Sequence, residues 1–208
     1  AEATLNTNEN PYAPSPALAK AIADRTHQVA LNLNRYPDRD AVLLRTGLAS
    51  FINKLSKTSF GSDQVWAANG SNEIIQSLFM AFGDRPALGF TPSYSMHPLI
   101  ANVIGVQWRD GGRRADFSLD LAKAKSDISA IKPALTFITS PNNPTGTTVT
   151  LEEISELADA AAKINGLLIV DEAYAEFSNQ PSAVTLIGKF PNLVVIRTMS
   201  KAFAFAGA

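Results

Sequence analysis

The amino-acid sequence predicts an α/β fold with a mostly parallel central sheet. Two short runs of consecutive apolar residues, at 167–170 and 193–196, have the composition of strands that are buried on both faces. Segments with helical spacing of apolar residues alternate with the predicted strands, and this alternation is typical of a parallel sheet. A chain of 208 residues is also long enough to bury a substantial core.

The first half of the chain is predicted to contain an arm, four helices and three short strands. Residues 1–14 show little periodicity, which indicates an extended arm. Ser15 and Pro16 have the order of an N-cap and a first helical residue. Apolar spacing predicts further helices from Asp38 or Asp40 to about residue 55, over 71–82 and over 97–104. Short apolar runs predict strands at 65–68, 87–90 and 106–108.

The second half is predicted to contain three strands and a capped helix. The strands are expected at 134–139, 167–170 and 193–196. Thr150 has the position of an N-cap for a helix over 151–164, and Gly166 suits the residue that ends it. We expect two domains: an N-terminal arm with its helix at 1–35, and a large domain at 36–208.

The composition excludes several classes of function. Hydrophobic residues make up 46% and charged residues 18% of the chain, as in folded soluble proteins, and a net charge of −1 gives no basic surface for nucleic acid. The absence of cysteine excludes disulfides and thiolate sites and fits a cytoplasmic protein. We find neither an apolar run of about 20 residues for a membrane nor a signal peptide. His27 and His97 have no suitably spaced partners, so no metal site is predicted.

Three polar segments follow predicted strands. They are Pro-Asn-Asn-Pro-Thr-Gly at 141–146, Asp-Glu-Ala-Tyr at 171–174 and Ser-Lys-Ala-Phe at 200–203. Because the carboxyl ends of parallel strands share one edge of a sheet, we expect an amide, a carboxylate, a phenol and an amine to meet there. This set suits pyridoxal phosphate, which needs an amine for its aldehyde, an anion for its ring nitrogen and donors for its phenolate oxygen.

Each of these residues also has an ordinary structural interpretation. Lys201 alone is typical of a surface lysine, and the asparagines of 141–146 are typical of a turn. Asp171 directly follows four apolar residues, so we expect it to be buried with a partner, which a protonated pyridine nitrogen would supply. Alternation along the strand directs Glu172 to the opposite face. The order of the three segments favours the cofactor interpretation.

A candidate phosphate site precedes the predicted helix at 71–82. Gly70, Ser71 and Asn72 occupy its start, where Ser71 is expected to be the N-cap. Free N–H groups at a helix start also bind anions. Thr198 and Ser200 offer hydroxyl donors to the same group, whereas no Gly-Lys-Ser/Thr of a nucleotide loop is present.

These motifs, in this order, resemble the fold-type I pyridoxal-phosphate aminotransferases. Four further segments are most similar to the histidinol-phosphate aminotransferases among them: Leu-Asn-Thr-Asn-Glu-Asn-Pro-Tyr at 5–12, Asn-Arg-Tyr-Pro-Asp at 34–38, Ala-Ala-Asn-Gly-Ser-Asn-Glu at 67–73 and Pro-Ser-Tyr-Ser-Met-His at 92–97. The segments are spread over the whole chain. The resemblance implies the three-layer large domain of that fold type.

The resemblance also implies roles for individual residues. Lys201 is expected to bind the cofactor aldehyde and to transfer the substrate proton, and Asp171 to hold the ring nitrogen. Tyr174 and Asn143, rather than Asn142, are expected to donate to the phenolate oxygen. Tyr94 is expected to stack on the pyridine ring.

Further residues are expected at the edges of the site. Tyr36 resembles the tyrosine that reaches the cofactor phosphate of a neighbouring subunit, which implies a homodimer. Asn10 and Tyr12 in the arm resemble residues that close over the substrate. Members of the family often have aspartate at the position of Asn72, so this chain lacks a charge near the phosphate.

The activity implied is transamination of L-histidinol phosphate, with 2-oxoglutarate and glutamate as the other pair, in histidine biosynthesis. Aromatic amino-acid transamination, amino-acid-phosphate decarboxylation or another reaction of the same fold and cofactor stays open, as does a non-enzymatic or inactive truncated protein. In the family, a phosphate-binding arginine and a C-terminal small domain with a carboxylate-binding arginine follow the segment at 205–208. Neither is present here, so we expect an incomplete large domain that is inactive on its own.

Overall fold

The computed structural model of the protein describes residues 6–207. The chain divides into two compact units, one formed by Ala1–Ala67 with Met199–Ala208 and the other by Ala68–Thr198. Leu5, the other residues of the predicted arm before it, and Ala208 lie outside the described residues. The predicted domain division at residue 35 stays a prediction.

The first unit contains two helices, α1 (Pro16–Ala30) and α2 (Val42–Ser56), among its described residues. The predicted start of α1 is confirmed, because the Ser15 hydroxyl accepts a hydrogen bond from the Leu18 amide and Pro16 is the first helical residue. At α2 the N-cap position is Ala41, although the Asp38 carboxylate accepts from the Val42 amide at 3.0 Å. Asp38 thus accepts a hydrogen bond from the first residue of the helix, although it does not occupy the N-cap position.

The second unit is a parallel sheet with helices between its strands, which confirms the predicted α/β fold. Its strands have the order β2-β1-β3-β4-β5 across the sheet within the described residues, and each neighbouring pair is parallel. The helices are α3 (Gly70–Phe82), α4 (Met96–Ile104), α5 (Leu121–Ile131) and α6 (Leu151–Ala162). The strands are β1 (Ala87–Gly89), β2 (Trp108–Asp110), β3 (Leu135–Thr139), β4 (Leu167–Asp171) and β5 (Leu193–Ile196).

Two hydrophobic cores make this unit a three-layer structure. Because side chains alternate along a strand, Phe137 and Ile169 belong to one core, whereas Ile138 and Val170 belong to the other. The first core contains apolar residues of α3 and α4, and the second contains those of α5 and α6. The sheet therefore has helices on both faces, and this explains the continuous apolar runs of β4 and β5.

Two strand predictions were wrong, one in the existence of the strand and one in its position. Residues 65–68 are not a strand. The Val65 carbonyl accepts a hydrogen bond from the Arg45 guanidinium at 2.6 Å, where a strand would accept one from a neighbouring strand. The strand predicted at 106–108 begins at Trp108 instead. Val106 follows α4 and closes the end of that helix, because its amide donates to the Ala101 carbonyl at 2.9 Å.

The structure differs from the predictions at two places around α5 and α6. The left-handed residue after α6 is Asn165 (φ 52°), and Gly166 is needed for close packing, since a Cβ there would lie 2.7 Å from the Pro133 carbonyl oxygen. Helix α5 was not predicted, although Asp120 caps it by accepting from the Lys123 amide. Thr150 caps α6 as predicted.

The helices within residues 6–207 include none that combines the length and the apolar character needed to cross a bilayer.

Candidate active site

The site is centred on a buried pair at the carboxyl end of β4. The Oδ2 atom of Asp171 lies 3.0 Å from Nε2 of His97, and each side chain is only 2% exposed. The Oδ1 atom of Asp171 accepts a hydrogen bond from the Ala173 amide at 3.0 Å. The predicted burial of Asp171 is therefore confirmed. Its side-chain partner among the described residues is an imidazole of the first turn of α4, and the predicted pairing with a pyridine nitrogen stays a prediction.

Aromatic rings hold the His97 imidazole in place. Its ring centre lies 4.7 Å from that of Phe137 and 6.4 Å from that of Trp108, and the Tyr94 ring meets it edge-on at 5.4 Å. No role was predicted for His97 from the sequence, except that it was excluded as a metal ligand. The sequence signal that could have identified it is a histidine among apolar helix residues, at the end of the segment 92–97 that also contains Tyr94.

Tyr94 connects this pair to the start of α3. Its hydroxyl donates to Oδ1 of Asn72 at 3.3 Å. Burial raises the pKa of the Tyr94 hydroxyl, and the hydrogen bond to Asn72 opposes part of this shift. The hydroxyl therefore remains protonated and can act as a donor at neutral pH.

The start of α3 presents backbone N–H groups, as a phosphate site requires. The prediction that Ser71 is the N-cap was wrong, because the helix begins at Gly70 (φ +76°) and Asn69 is the cap residue. The Glu73 carboxylate accepts a hydrogen bond from the backbone amide of Asn69 at 2.6 Å, so this side chain caps an amide at the start of the helix. Ser71 is partly buried and Asn72 is exposed in the first turn of the helix.

Asn143 lies in the loop that follows β3, next to the fully buried Asn142. The register of the sheet pairs Thr139, at the end of β3, with Asp171 at the end of β4. The loop of Asn143 therefore leaves the sheet at the same edge as the Asp171–His97 pair.

Glu172 is directed away from this pair, as the alternation predicts. Its carboxylate accepts hydrogen bonds at 2.6 Å from both the Ser182 hydroxyl and the Ala183 amide, and Arg197 lies 3.4 Å away. Burial raises the pKa of Glu172, against the lowering effect of these groups. Arg197 also pairs with Glu176. Tyr174 lies between Glu172 and Glu176 in sequence, and its ring lies beside that of Phe177.

The other unit brings Lys201 and Asn10 together. The Asn10 amide group donates to the carbonyls of Lys201 and Ala202 at 3.3 and 3.2 Å, and Nζ of Lys201 donates to the Asn8 carbonyl at 2.9 Å. The two residues were predicted for different roles, and Asn10 here contacts the backbone of the lysine segment. Tyr12 is 79% exposed and Tyr36 is fully exposed.

The structure thus groups several of the predicted site residues within each unit. Asp171, Tyr94 and Asn72 are linked through His97 in the unit Ala68–Thr198, which also contains Asn143, Tyr174 and Thr198. Lys201, Ser200 and Asn10 belong to the other unit. Their assignment to a cofactor or a substrate stays a prediction.

Comparison with known proteins identifies the family. The family model for aminotransferase class I and II matches residues 3–208. The chain belongs to this aminotransferase family. A curated histidinol-phosphate aminotransferase of Rhodococcus jostii (strain RHA1) is 54% identical over 206 residues, which are 98% of this chain and 53% of that protein. This aminotransferase chain spans about half the length of the curated relatives it matches.

Solved structures agree with the fold of this aminotransferase chain. The crystal structure of a putative histidinol-phosphate aminotransferase from Erwinia carotovora atroseptica SCRI1043 has a TM-score of 0.80 and 27% identity, over 97% of this chain and 57% of that chain. The histidinol-phosphate aminotransferase of Sinorhizobium meliloti, solved in complex with pyridoxal-5′-phosphate, has a TM-score of 0.77 at 22% identity, over 97% of this chain and 53% of that chain. The second likeness shows the fold alone.

Proposed function

We propose that the chain forms the cofactor-binding part of a pyridoxal-phosphate-dependent aminotransferase that acts on L-histidinol phosphate. The structural observation that carries the proposal is the buried Asp171–His97 pair at the carboxyl edge of the parallel sheet. The identity of 54% to a curated histidinol-phosphate aminotransferase, along 98% of the chain, supports the choice of substrate.

The residues fit this cofactor in charge and in donor type. A buried carboxylate such as Asp171 suits a protonated pyridine nitrogen, and the N–H groups at the start of α3 suit a phosphate. Asn143 and Tyr174 supply donors for a phenolate oxygen, and Thr198 and Ser200 supply hydroxyls for the phosphate. When bound, the cofactor acts as an electron sink for the substrate α-carbon.

The protein side chains then have distinct tasks. His97 fixes the orientation of the Asp171 carboxylate, which would hold the protonated ring nitrogen of the cofactor. Lys201 would hold the cofactor through its aldehyde, and the Lys201 amine would serve as the base that accepts the proton of the substrate α-carbon and as the acid that donates it again. Tyr94 would stack on the ring, while Asn10 and Tyr12 would close over the substrate.

The proposal includes a homodimer with shared sites and a cytoplasmic location. Tyr36 would reach the phosphate of the partner's cofactor. Several large apolar side chains of the same unit are exposed, among them Leu31 (73%), Leu33 (76%) and Leu43 (81%), which supports a covered surface in the assembly. The cytoplasmic location follows from the proposed role in histidine biosynthesis.

A comparison of amino donors tests the proposed function. Protein produced from the complete gene would be loaded with pyridoxal phosphate and assayed for glutamate formation from 2-oxoglutarate, with L-histidinol phosphate, phenylalanine or tyrosine as amino donor. We expect the highest kcat/KM with L-histidinol phosphate. A higher value with an aromatic amino acid would favour the aromatic aminotransferase, and failure to bind the cofactor would contradict the proposal as a whole.

A further inference from the structure

Asn142 joins two loops at the carboxyl edge of the sheet. The β1 loop is residues 90–95, between β1 and α4, and the β3 loop is residues 140–150, between β3 and α6. The Asn142 amide group donates to the Pro92 carbonyl at 2.9 Å, and its side-chain oxygen accepts from the Ser93 hydroxyl at 2.8 Å. The residue is 3% exposed, so these bonds are shielded from water.

The same residue also closes the β3 loop on itself. Its side-chain amide donates to the Thr145 hydroxyl at 2.7 Å, its backbone amide donates to the Thr147 carbonyl at 2.8 Å, and its carbonyl accepts from the Gly146 amide at 2.7 Å. Every polar atom of Asn142 is therefore hydrogen-bonded. A neutral amide is required, because it alone offers two donors and an acceptor in one plane.

The anchored residues directly precede two predicted cofactor residues. Ser93 precedes Tyr94, and Asn142 precedes Asn143. Ser93 also reaches the end of β3, since its hydroxyl lies 3.0 Å from that of Thr139. The two loops and the strand end are thus tied at one point.

We propose that Asn142 is a positioning residue that holds Asn143 and Tyr94 at a fixed separation, so that both fit one cofactor ring. This inference rests on the proposed function, because it takes Asn143 and Tyr94 as cofactor contacts. A displacement of about 1 Å in a supporting loop is enough to impair such a site.

The variant Asn142→Asp tests the proposal with little change in volume. It removes both amide donors and places an acceptor against the Pro92 carbonyl, which then lacks its partner. Asn192→Asp is the matched control. Asn192 also donates two side-chain hydrogen bonds, in its case to the carbonyls of Ala158 and Gly166, but it precedes β5 at the opposite edge of the sheet.

The measurements separate positioning from stability. In protein from the complete gene, both variants are expected to lower the melting temperature. Only Asn142→Asp is expected to weaken pyridoxal phosphate binding, by roughly tenfold or more. It should also raise the pH midpoint of the bound cofactor's visible absorption band, because a phenolate that loses a donor has a higher pKa. Equal cofactor affinity and equal band titration in the two variants would overturn the proposal.

Amide hydrogen exchange gives a test that does not depend on the cofactor. In cofactor-free protein, Asn142→Asp and the milder Ser93→Ala should accelerate exchange in both the β1 loop and the β3 loop, whereas Asn192→Asp should not. Faster exchange in one loop only, or in neither, would show that Asn142 does not couple them. The two proposals can fail separately. If the wild-type protein did not bind pyridoxal phosphate but Asn142→Asp still accelerated amide exchange in both loops, the proposed function would be wrong and the coupling of the loops by Asn142 would stand.

Discussion

The Nε2 atom of His97 lies 3.0 Å from the Oδ2 atom of Asp171, and neither side chain has appreciable contact with solvent. Helix α4 and strand β4 are thereby joined at one buried pair, between residues that are far apart in sequence. A buried carboxylate loses hydration energy and needs such a partner. The pair therefore contributes both to the stability of the sheet edge and to the direction of the carboxylate.

Replacing His97 by alanine is expected to destabilise the protein. The change leaves the Asp171 carboxylate without its side-chain partner and removes a ring packed between Tyr94 and Phe137. We expect a loss of about 3 kcal/mol in the free energy of unfolding, measured by urea denaturation. His27→Ala, at an exposed histidine of α1, is the control and should change stability by less than about 0.5 kcal/mol. Equal effects in the two variants would show that the pair adds no stability.

Lys201 is expected to carry the cofactor. Holoenzyme from the complete gene would be reduced with borohydride and digested, and the pyridoxyl label should be found on Lys201. Lys201→Ala should lose turnover while it keeps the melting temperature of the cofactor-free protein within a few degrees. Lys189→Ala is the control, since Lys189 lies over the Phe190 ring and has no assigned role in the site. A label on Lys189 would refute the assignment.

Glu172 is expected to make stability depend on pH in the direction opposite to that of most carboxylates. Burial raises its pKa in the folded protein, so the folded state binds this proton more tightly than the unfolded state. The contribution of Glu172 to stability is therefore full below the ordinary glutamate pKa and declines as the pH rises through the raised pKa.

The comparison with Glu172→Gln isolates this effect. Denaturation at a series of pH values should show the wild type losing stability relative to Glu172→Gln as the pH rises, with a constant difference once Glu172 is ionised in both states. Glu152→Gln, at an exposed residue in the first turn of α6, is the control for general charge effects. A wild type that gains stability relative to Glu172→Gln over the same range would contradict the prediction.

Tyr36 is expected to act in the site of the partner subunit. Tyr36→Phe should bind pyridoxal phosphate more weakly, and Lys201→Ala should be inactive. A heterodimer of the two variants then has one site with both changes and one site with neither. Mixing should restore activity as subunits exchange, whereas exchange proven by mass spectrometry without any gain in activity would place Tyr36 outside the partner's site.

The sequence predicted those helices and strands that are marked by a local N-cap residue or by a run of apolar residues. Strands β4 and β5 were identified because both faces are buried, and α1 and α6 because Ser15 and Thr150 are caps with backbone donors within reach. The segment at 65–68 has the same apolar character, yet Arg45 occupies its Val65 carbonyl. A hydrogen bond from a residue that is distant in sequence cannot be recognised in the local pattern of apolar residues.

Those residues of the candidate site that directly follow strands could be located from the sequence. Asp171 and Asn143 were placed correctly at one sheet edge by that argument. His97 and Asn142 were missed because their importance comes from partners that are distant in sequence. Asn142, in particular, looked like an ordinary turn residue, although its side chain is bonded on every polar atom.

The two successive acids at the end of β4 have a consequence for insertions and deletions. Asp171 belongs to the face of the sheet with α3 and α4, while Glu172 contacts groups beside the core of α5 and α6. A shift of this strand by one residue that brought Glu172 to the position of Asp171 would place the longer carboxylate against the His97 imidazole. The same shift would move Asp171 to the position of Val170, inside the apolar core of α5 and α6. The spacing of β4 is therefore as much a requirement of the site as the identity of either acid.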